Sequence, residues 1–343
     1  MPAQPDRNRW MPRAMTAIYF DDDATLDAIA GATAGIFGYG PVGRALALNL
    51  RDSGIRVMTA PEFDDEAEMA SNDEIPALPA AEIAQTCDIL IITTPDDALP
   101  PLYMGSIAPH LKRGDLMVFT SGYAMAFGTV EPPPFLDVGV LAPRPAGDAI
   151  RAGYLSGQGA LTFISVAADS TRRALDRLLA VARGAGLLRA GAIELLPEHE
   201  AFLALFVQQA VIPAFHHIMV AAADLLVNQG IPPEAAISDL HIAGRFFDYL
   251  RRANRDGLMN TLLDSPLTSQ YATLSRMARF SELRLERLME NTFDEIVSGA
   301  FAREWSRELM EGTPRLDRLR KLESQRTVWD FEQQTLDLMR DRP

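Results

Sequence analysis

Six residues, Gly38-Tyr39-Gly40-Pro41-Val42-Gly43, have the types and spacing to hold a phosphorylated ligand. They follow the apolar pair Ile36-Phe37 and run into Arg44–Leu50, whose apolar stripe predicts a helix. In a strand, glycine turn and helix of this kind, Gly38 permits the tight turn, Gly40 lets the backbone approach a pyrophosphate, and Gly43 lets helix and strand pack closely. Unpaired N–H groups at the helix start attract the anion. A dinucleotide is the implied ligand. Glu62 stands 19 residues past Gly43, near the spacing of ~20 at which an acid binds the ribose hydroxyls. Its surroundings, Pro61-Glu62-Phe63-Asp64-Asp65, are acidic and would repel a 2′-phosphate, so NADH is expected, with NADPH as the alternative. A solvated acidic loop that touches no cofactor is the competing reading of Glu62.

The elements that must position this loop alternate along the first part of the chain. Strand patterns occur at Arg56–Thr59, Ile89–Thr93, Met117–Thr120, Val138–Ala142 and Leu161–Val166, with helical patterns between them, the last from Ser170 to about Gly184. Such alternation predicts a parallel sheet covered by helices. From Glu198 onward glycine and strand signals give way to long helical patterns. Two domains are expected, 15–196 and 197–330, the first a dinucleotide-binding α/β domain and the second all-helical. Phe202–Val227 is markedly apolar, but Gln208, Gln209, His216, His217 and Asp224 interrupt it. No run reaches the ~18 residues of a membrane span, so the segment reads as a buried central helix, kinked or broken at Pro213.

The chain has 343 residues and a net charge of −14. That charge favours solubility and argues against nucleic acid or an anionic membrane as partner. The single cysteine, Cys87, rules out an internal disulfide and reads as a buried small hydrophobe. No secretory signal pattern opens the chain, so a cytoplasmic location is expected. Residues 1–14 read as a loose leader, with Met15 an alternative start.

Several segments together resemble one enzyme family. They are IYFDDDATLDAIAG from Ile18, GIFGYGPVGRALALNLRDSG, Thr93-Thr94-Pro95-Asp96, Gly122-Tyr123-Ala124-Met125-Ala126-Phe127-Gly128, Ala142-Pro143-Arg144-Pro145, Leu205-Phe206-Val207-Gln208-Gln209-Ala210-Val211 and Ser298-Gly299-Ala300-Phe301-Ala302-Arg303-Glu304-Trp305. In order and over nearly the whole length, they resemble the short-form ketol-acid reductoisomerases of branched-chain amino-acid synthesis. The resemblance implies a Rossmann domain followed by an entwined helical domain whose core two chains build together, hence a homodimer. It adds Thr94 and Pro95 to the cofactor-binding set, and places Arg and Ser for a 2′-phosphate where this chain has its acidic loop.

The departures from the family pattern are chemical. By the resemblance, two magnesium ions are held by carboxylates four residues apart on two helices, and those positions fall on Ala204 and Gln208 and on Ser238 and Ile242. Magnesium needs oxygen ligands, preferably charged ones, so no magnesium and no isomerisation are expected here. The family's loop histidine falls on Ser121, and its substrate serine near Asp264 or Ser265. Groups expected near the nicotinamide are Ser121, Tyr123, Arg144, Gln208, Ser238, Asp239, His241 and Asp264. Arg144 replaces a family lysine and reads as a bidentate anchor for a substrate carboxylate, or as a phosphate contact or surface residue. Ser121 or Tyr123 relays a proton or packs its loop; His241 is a general acid or a structural histidine. His216 and His217 point to different helix faces and read as packing or capping residues.

Three functional readings follow. The first is a metal-independent NADH reductase of a small imine, enamine or ketone in a specialised pathway. The second is an inactive dinucleotide-binding homologue serving as a partner or regulatory subunit. The third is a magnesium-dependent reductoisomerase with ligands relocated to Glu200, Asp239 and Asp264.

Overall fold

The computed structural model describes residues 16–277, 279–280 and 284–340, so the leader reading of residues 1–14 and the start at Met15 lie outside the described residues. It divides into two compact units, the break falling between Leu203 and Ala204.

The first unit contains β1 (Ile18–Tyr19), β2 (Thr33–Phe37), α1 (Pro41–Asp52), β3 (Arg56–Ala60), α2 (Asp64–Asn72), α3 (Ala80–Thr86), β4 (Ile89–Ile92), α4 (Leu99–Leu102), β5 (Leu116–Phe119), α5 (Tyr123–Phe127), β6 (Asp137–Pro143), α6 (Gly147–Ser156), β7 (Thr162–Ala168), α7 (Ala174–Gly184) and β8 (Ala192–Glu194). The strands form one eight-stranded sheet in the order β1-β8-β7-β6-β5-β4-β2-β3. All four residues of β4, Ile-Leu-Ile-Ile, and of β5, Leu-Met-Val-Phe, are buried, the mark of central strands covered on both faces. One apolar layer holds Ile36, Leu46, Leu50, Leu178 and Leu188. The other holds Phe37, Ile83, Leu90, Phe119 and Leu136, with Cys87 fully buried among them.

The parallel expectation holds from β3 to β6 and then fails: β7 lies antiparallel to β6, with Val140 opposite Ser165. A parallel return would have to carry the chain back along the whole sheet. Here α6 stays at the edge where β6 ends. A Cβ on Gly147 would come within 2.0 Å of the Pro41 carbonyl, which pins α6 to the start of α1, and Gly157 and Gly159, at φ 77° and 73°, then turn the chain into β7.

The second unit is helical throughout its described residues. It begins within α8 (Pro197–Phe206) and continues through α9 (Ile212–Asn228), α10 (Pro233–Ile237), α11 (Arg245–Asp256), α12 (Leu258–Leu263), α13 (Leu267–Met277), α14 (Leu285–Val297), α15 (Ala300–Met310), α16 (Pro314–Glu323) and α17 (Thr327–Arg340). The helix is not broken at Pro213. A π turn over Val207–Val211, in which the Ile212 N–H reaches back to the Val207 carbonyl, precedes the proline and lets the helix run on from Pro197 to Asn228. Nor is this segment a buried core helix within one chain. Only 17% of its most apolar window is buried, and Ile212, Phe215, Ile218 and Leu225 are exposed.

At the edge of the sheet opposite the glycine loop, Asp137 ties β6 to the start of α7. Its fully buried carboxylate accepts hydrogen bonds from the Ser170 and Thr171 N–H groups at 3.0 Å, the Thr171 hydroxyl at 2.6 Å and Arg177 Nη1 at 2.8 Å. Burial opposes the charge, but the Thr171 and Arg177 contacts outweigh it and hold the carboxyl below the usual aspartate range. Replacing Asp137 by Ala strands these donors and should cost about 3–5 kcal/mol in urea unfolding at neutral pH. Because the folded carboxyl titrates lower than the unfolded one, its contribution is present above the unfolded pKa and lost as pH falls through the folded value. The gap between wild type and variant should therefore close in acid.

Candidate functional site

The carboxyl ends of the parallel strands carry the candidate site of the first unit. Gly38 sits at φ 90°, and its N–H donates to the Ala60 carbonyl at 2.9 Å. A Cβ on Gly43 would lie 2.3 Å from the Gly38 carbonyl oxygen, so α1 approaches β2 as closely as a backbone without side chain allows. Gly40 caps α1, and Pro41 occupies its first turn with the fixed φ a helix start requires. From β4, the Thr93 hydroxyl donates to the Phe37 and Gly38 carbonyls at 2.8 and 2.9 Å, and the Thr94 hydroxyl to Phe37 at 3.1 Å. The Thr94-Pro95 segment is thereby fixed against the glycine loop.

The acid that reaches this loop is Glu66, which the spacing argument passed over. Its Oε2 accepts the Tyr39 and Glu62 N–H groups, each at 2.8 Å, and its Oε1 is the one atom within reach of a Cβ built on Gly40, at 3.3 Å. Glu66 is 9% exposed, whereas the Glu62 side chain is open to solvent. Partial desolvation at the foot of the side chain, and then the charges of Glu66 and Asp97, push the Glu62 carboxyl up. The available signal was position: Glu66 lies in the first turn of α2, one helical turn past Glu62. The Tyr39 hydroxyl donates to Asp73 at 3.0 Å, and Arg44 grips the same carboxylate with two N–H groups at 2.6 and 2.9 Å.

Ser121, Tyr123 and Arg144 converge on the same edge. The Ser121 Oγ accepts the Tyr123 N–H at 3.1 Å, closing the turn after β5. Tyr123 is buried with its ring 4.8 Å from Phe127, and burial, then the charge of Asp96, pushes its phenol up. Arg144 lies over the Phe163 ring at 4.8 Å and donates through Nη1 to Glu200 Oε1 at 2.7 Å, while Glu200 Oε2 accepts the Gly122 N–H at 2.5 Å. Part of the guanidinium is thus committed to a protein carboxylate, and 29% of the side chain stays exposed.

In the second unit, Ser238, Asp239 and His241 share a π turn over Ser238–Ile242. Asp239 is exposed and faces Arg245 at 3.4 Å; His241 Nε2 meets Glu332 Oε1 of α17 at 2.6 Å. Gln208 lies on the π turn after α8 and Asp264 at the end of α12, both exposed and apart from that turn in sequence. His216 packs its ring 5.3 Å from Trp329.

The residues fit the two groups that the resemblance implies to different degrees. A dinucleotide is matched by the open start of α1, by glycines where side chains would intrude, and by a buried acid, Glu66, against the glycine loop. For two magnesium ions, the positions to which the resemblance points offer poor donors. Ala204 and Ile242 offer no donor, Gln208 and Ser238 only neutral ones, and among the described residues no group of three His, Cys, Asp or Glu side chains is placed to hold a metal. Relocation to Glu200 meets the obstacle that both its oxygens are already engaged.

This geometry defines a Rossmann-type nucleotide-binding domain joined to a helical domain. The family profile described as the acetohydroxy acid isomeroreductase NADPH-binding domain matches residues 28–191, and that of the ketol-acid reductoisomerase C-terminal domain matches 198–341. The chain is 33% identical over 308 residues to the ketol-acid reductoisomerase (NADP(+)) of Pyrobaculum aerophilum, covering 89% of this chain and 93% of that protein. An NADH-preferring ketol-acid reductoisomerase from an uncultured archaeon superposes with a TM-score of 0.88 at 26% identity, over 94% of this chain and 99% of that one. A semialdehyde dehydrogenase NAD-binding protein from Cupriavidus necator, at 19% identity and a TM-score of 0.57 over 78% of this chain and 98% of its own, shares the fold alone. The chain belongs to the ketol-acid reductoisomerase family. It contains an NAD(P)-binding domain of that family and is related over most of its length to a named enzyme.

Those findings overturn two expectations. The comparisons point to a reductoisomerase, not to an imine or enamine reductase or an inactive partner subunit, and the expectation that the chain is no functional reductoisomerase falls with them. Loss of four carboxylates would exclude the activity only if ligand chemistry at those positions decided it. Relatedness over both domains points the other way, and the exclusion of magnesium finds no support in it.

Arg144→Ala should leave Glu200 buried with the Gly122 N–H as its remaining hydrogen bond. A loss of about 2–4 kcal/mol in urea unfolding is expected at neutral pH, below the upper range for a buried pair because Arg144 is partly exposed. Adding Glu200→Gln should return much of it. A double variant no more stable than Arg144→Ala alone would show that the pair is not the reason for the loss.

Proposed function

We propose that this chain is a ketol-acid reductoisomerase that uses NADH as its hydride source and works as a homodimer in the cytoplasm. The observation that carries the activity is the match of both family domains, in order, with 33% identity over 89% of the chain. In this reading residues 15–196 hold the cofactor and 197–330 form the helical dimerisation and substrate domain. The cofactor, when bound, supplies hydride to a carbonyl carbon. The Gly38–Gly43 loop and the start of α1 bind its pyrophosphate, while Thr94 and Pro95 bound the site beside them. Glu66 and Glu62 face the ribose, where their charge favours a free 2′-hydroxyl over a 2′-phosphate. The unused donors of Arg144 orient a substrate carboxylate. Tyr123, kept protonated by burial, holds a proton near the reacting oxygen, with Ser121 fixing its backbone. His241, Ser238, Asp239, Gln208 and Asp264 are the polar candidates that the helical domain itself carries.

NADH should bind at least about tenfold more tightly than NADPH in a fluorescence titration, because a 2′-phosphate would meet the Glu66 and Glu62 charges. Glu66→Ser should narrow the ratio more than Glu62→Ser does. Equal affinity for the two nucleotides in the wild-type protein would end the NADH assignment. Activity is tested by following nucleotide absorbance with acetolactate, with and without magnesium. Turnover establishes the reductoisomerase; its absence under both conditions, with reduction of the isomerised 2-oxo acid intact, would confine the chain to the reductive half.

The homodimer is supported by the exposed apolar residues of α9, which a second copy would cover at less cost than water. Within the described residues the helix from Pro197 to Asn228 is also long and apolar enough to cross a membrane. Light scattering separates the two: the protein purified without detergent should be a dimer, and a detergent-dependent monomer would refute the pairing.

A further inference from the structure

Gly40-Pro41-Val42-Gly43, the stretch of the glycine loop that would meet a pyrophosphate, carries no polar side chain to hold itself in place. The residues on either side of it do, and both reach the same carboxylate. The Tyr39 hydroxyl donates to Asp73 Oδ2 at 3.0 Å, while Arg44 donates to Oδ2 through Nε at 2.6 Å and to Oδ1 through Nη2 at 2.9 Å. The Tyr39 ring is fully buried and only 13% of the Asp73 side chain is exposed, so water competes little at the carboxylate. Asp73 closes α2: its N–H returns to the Met69 carbonyl at 3.0 Å, its carbonyl accepts Arg51 Nη1 of α1 at 2.6 Å, and Glu74 then turns the chain at φ 58° without a glycine. A carboxylate at the C-terminal end of a helix opposes the helix dipole. Its place is set instead by its partners on the glycine loop and α1: the Arg44 bond, and after it the Tyr39 bond, outweigh burial and hold the carboxyl below the usual aspartate range.

The freedom of Gly40 and Gly43 lets a phosphate approach the backbone, and it also opens loop conformations that bind none. A site whose competent conformation is populated only in part binds more weakly by that fraction. We propose that Asp73 is a positioning residue for the nucleotide: by gripping Tyr39 and Arg44 it holds the phosphate-facing backbone between them in the binding conformation before the nucleotide arrives. Glu66, two helical turns earlier on the same face of α2, takes the Tyr39 N–H at 2.8 Å, so one helix holds Tyr39 at both its backbone and its hydroxyl. The inference rests on the cofactor reading above and not on the isomerisation or reduction step. In it Asp73 acts through Tyr39 and Arg44, not by contact with the nucleotide.

Fluorescence titration of the full chain with NADH, at a temperature where each variant is folded, reads the effect. Asp73→Ala should bind NADH about tenfold more weakly than wild type, and Asp73→Asn, whose one carbonyl oxygen still accepts from Tyr39 or Arg44, should fall between them. Tyr39→Phe keeps the buried ring and loses only the hydroxyl. Alone it should weaken binding by about two- to fivefold, and added to Asp73→Ala it should cost nothing further, because the acceptor has already gone. Asp137→Ala, at the opposite edge of the sheet, is the control: it should lose stability while NADH affinity stays within about twofold of wild type. A second readout needs no nucleotide. The Tyr39 and Arg44 amides, paired with Glu66 and the Gly40 carbonyl, should exchange hydrogen faster in Asp73→Ala than in wild type. The proposal is overturned by wild-type affinity in Asp73→Ala or, should that variant not fold, in Asp73→Asn, and equally by a Tyr39→Phe loss that adds in full to that of Asp73→Ala. If the wild-type protein binds no NADH, the cofactor reading falls instead, and hydrogen exchange alone decides whether Asp73 holds the loop.

Discussion

The close approach of α1 to β2 is the constraint on which the first unit depends. With no side chain at Gly43, the helix lies against the Gly38 carbonyl, and the Thr93 hydroxyl joins both Phe37 and Gly38 to the end of β4. That contact sets where the helix N-terminus points and so where a phosphate meets unpaired N–H groups. It also fixes the loops after β4 and β5 relative to the glycine turn. A methyl group at Gly43 would have to move a backbone carbonyl, which has no flexible side chain to yield in its place.

Around that contact the charge is arranged unevenly. The acids near the glycine loop fall into two classes: those held by donors, such as Glu66 by two N–H groups, Asp73 by Arg44 and Tyr39, and Glu200 by Arg144 and Gly122; and those left open, such as Glu62 and Asp96. Held acids act as fixed negative poles beside the glycine loop. Open ones have no side-chain hydrogen bond or ion pair among the described residues to favour their ionised form.

The helical unit poses a different physical problem. Its longest helix exposes a row of large apolar side chains, and their cost in water is met only if something covers them. The π turn before Pro213 keeps the helix running where a missing N–H would otherwise interrupt it, so the apolar face stays continuous. Membership of the reductoisomerase family sits beside helix positions, Ala204, Gln208, Ser238 and Ile242, that offer little to a hard cation.

The sequence by itself determined the glycine fingerprint, the strand-and-helix alternation of the first domain and the change to helices near residue 200. These are local properties: backbone freedom at glycine, period-two and period-3.6 burial, and capping. It also carried the family, because so many short segments matched in order. Tertiary structure decided what depends on distance across the fold. Glu66 stands beside the glycine loop because α2 folds back onto it, and no spacing rule ranked it above Glu62. Arg144 is held by Glu200, 56 residues away, so its availability to a substrate was invisible in a motif. The antiparallel turn into β7 follows from α6 being pinned at Gly147, and the exposure of α9 from which surfaces the rest of the chain leaves uncovered. Each of these is a contact between residues far apart in sequence, where pattern along the chain carries no information about partner or geometry.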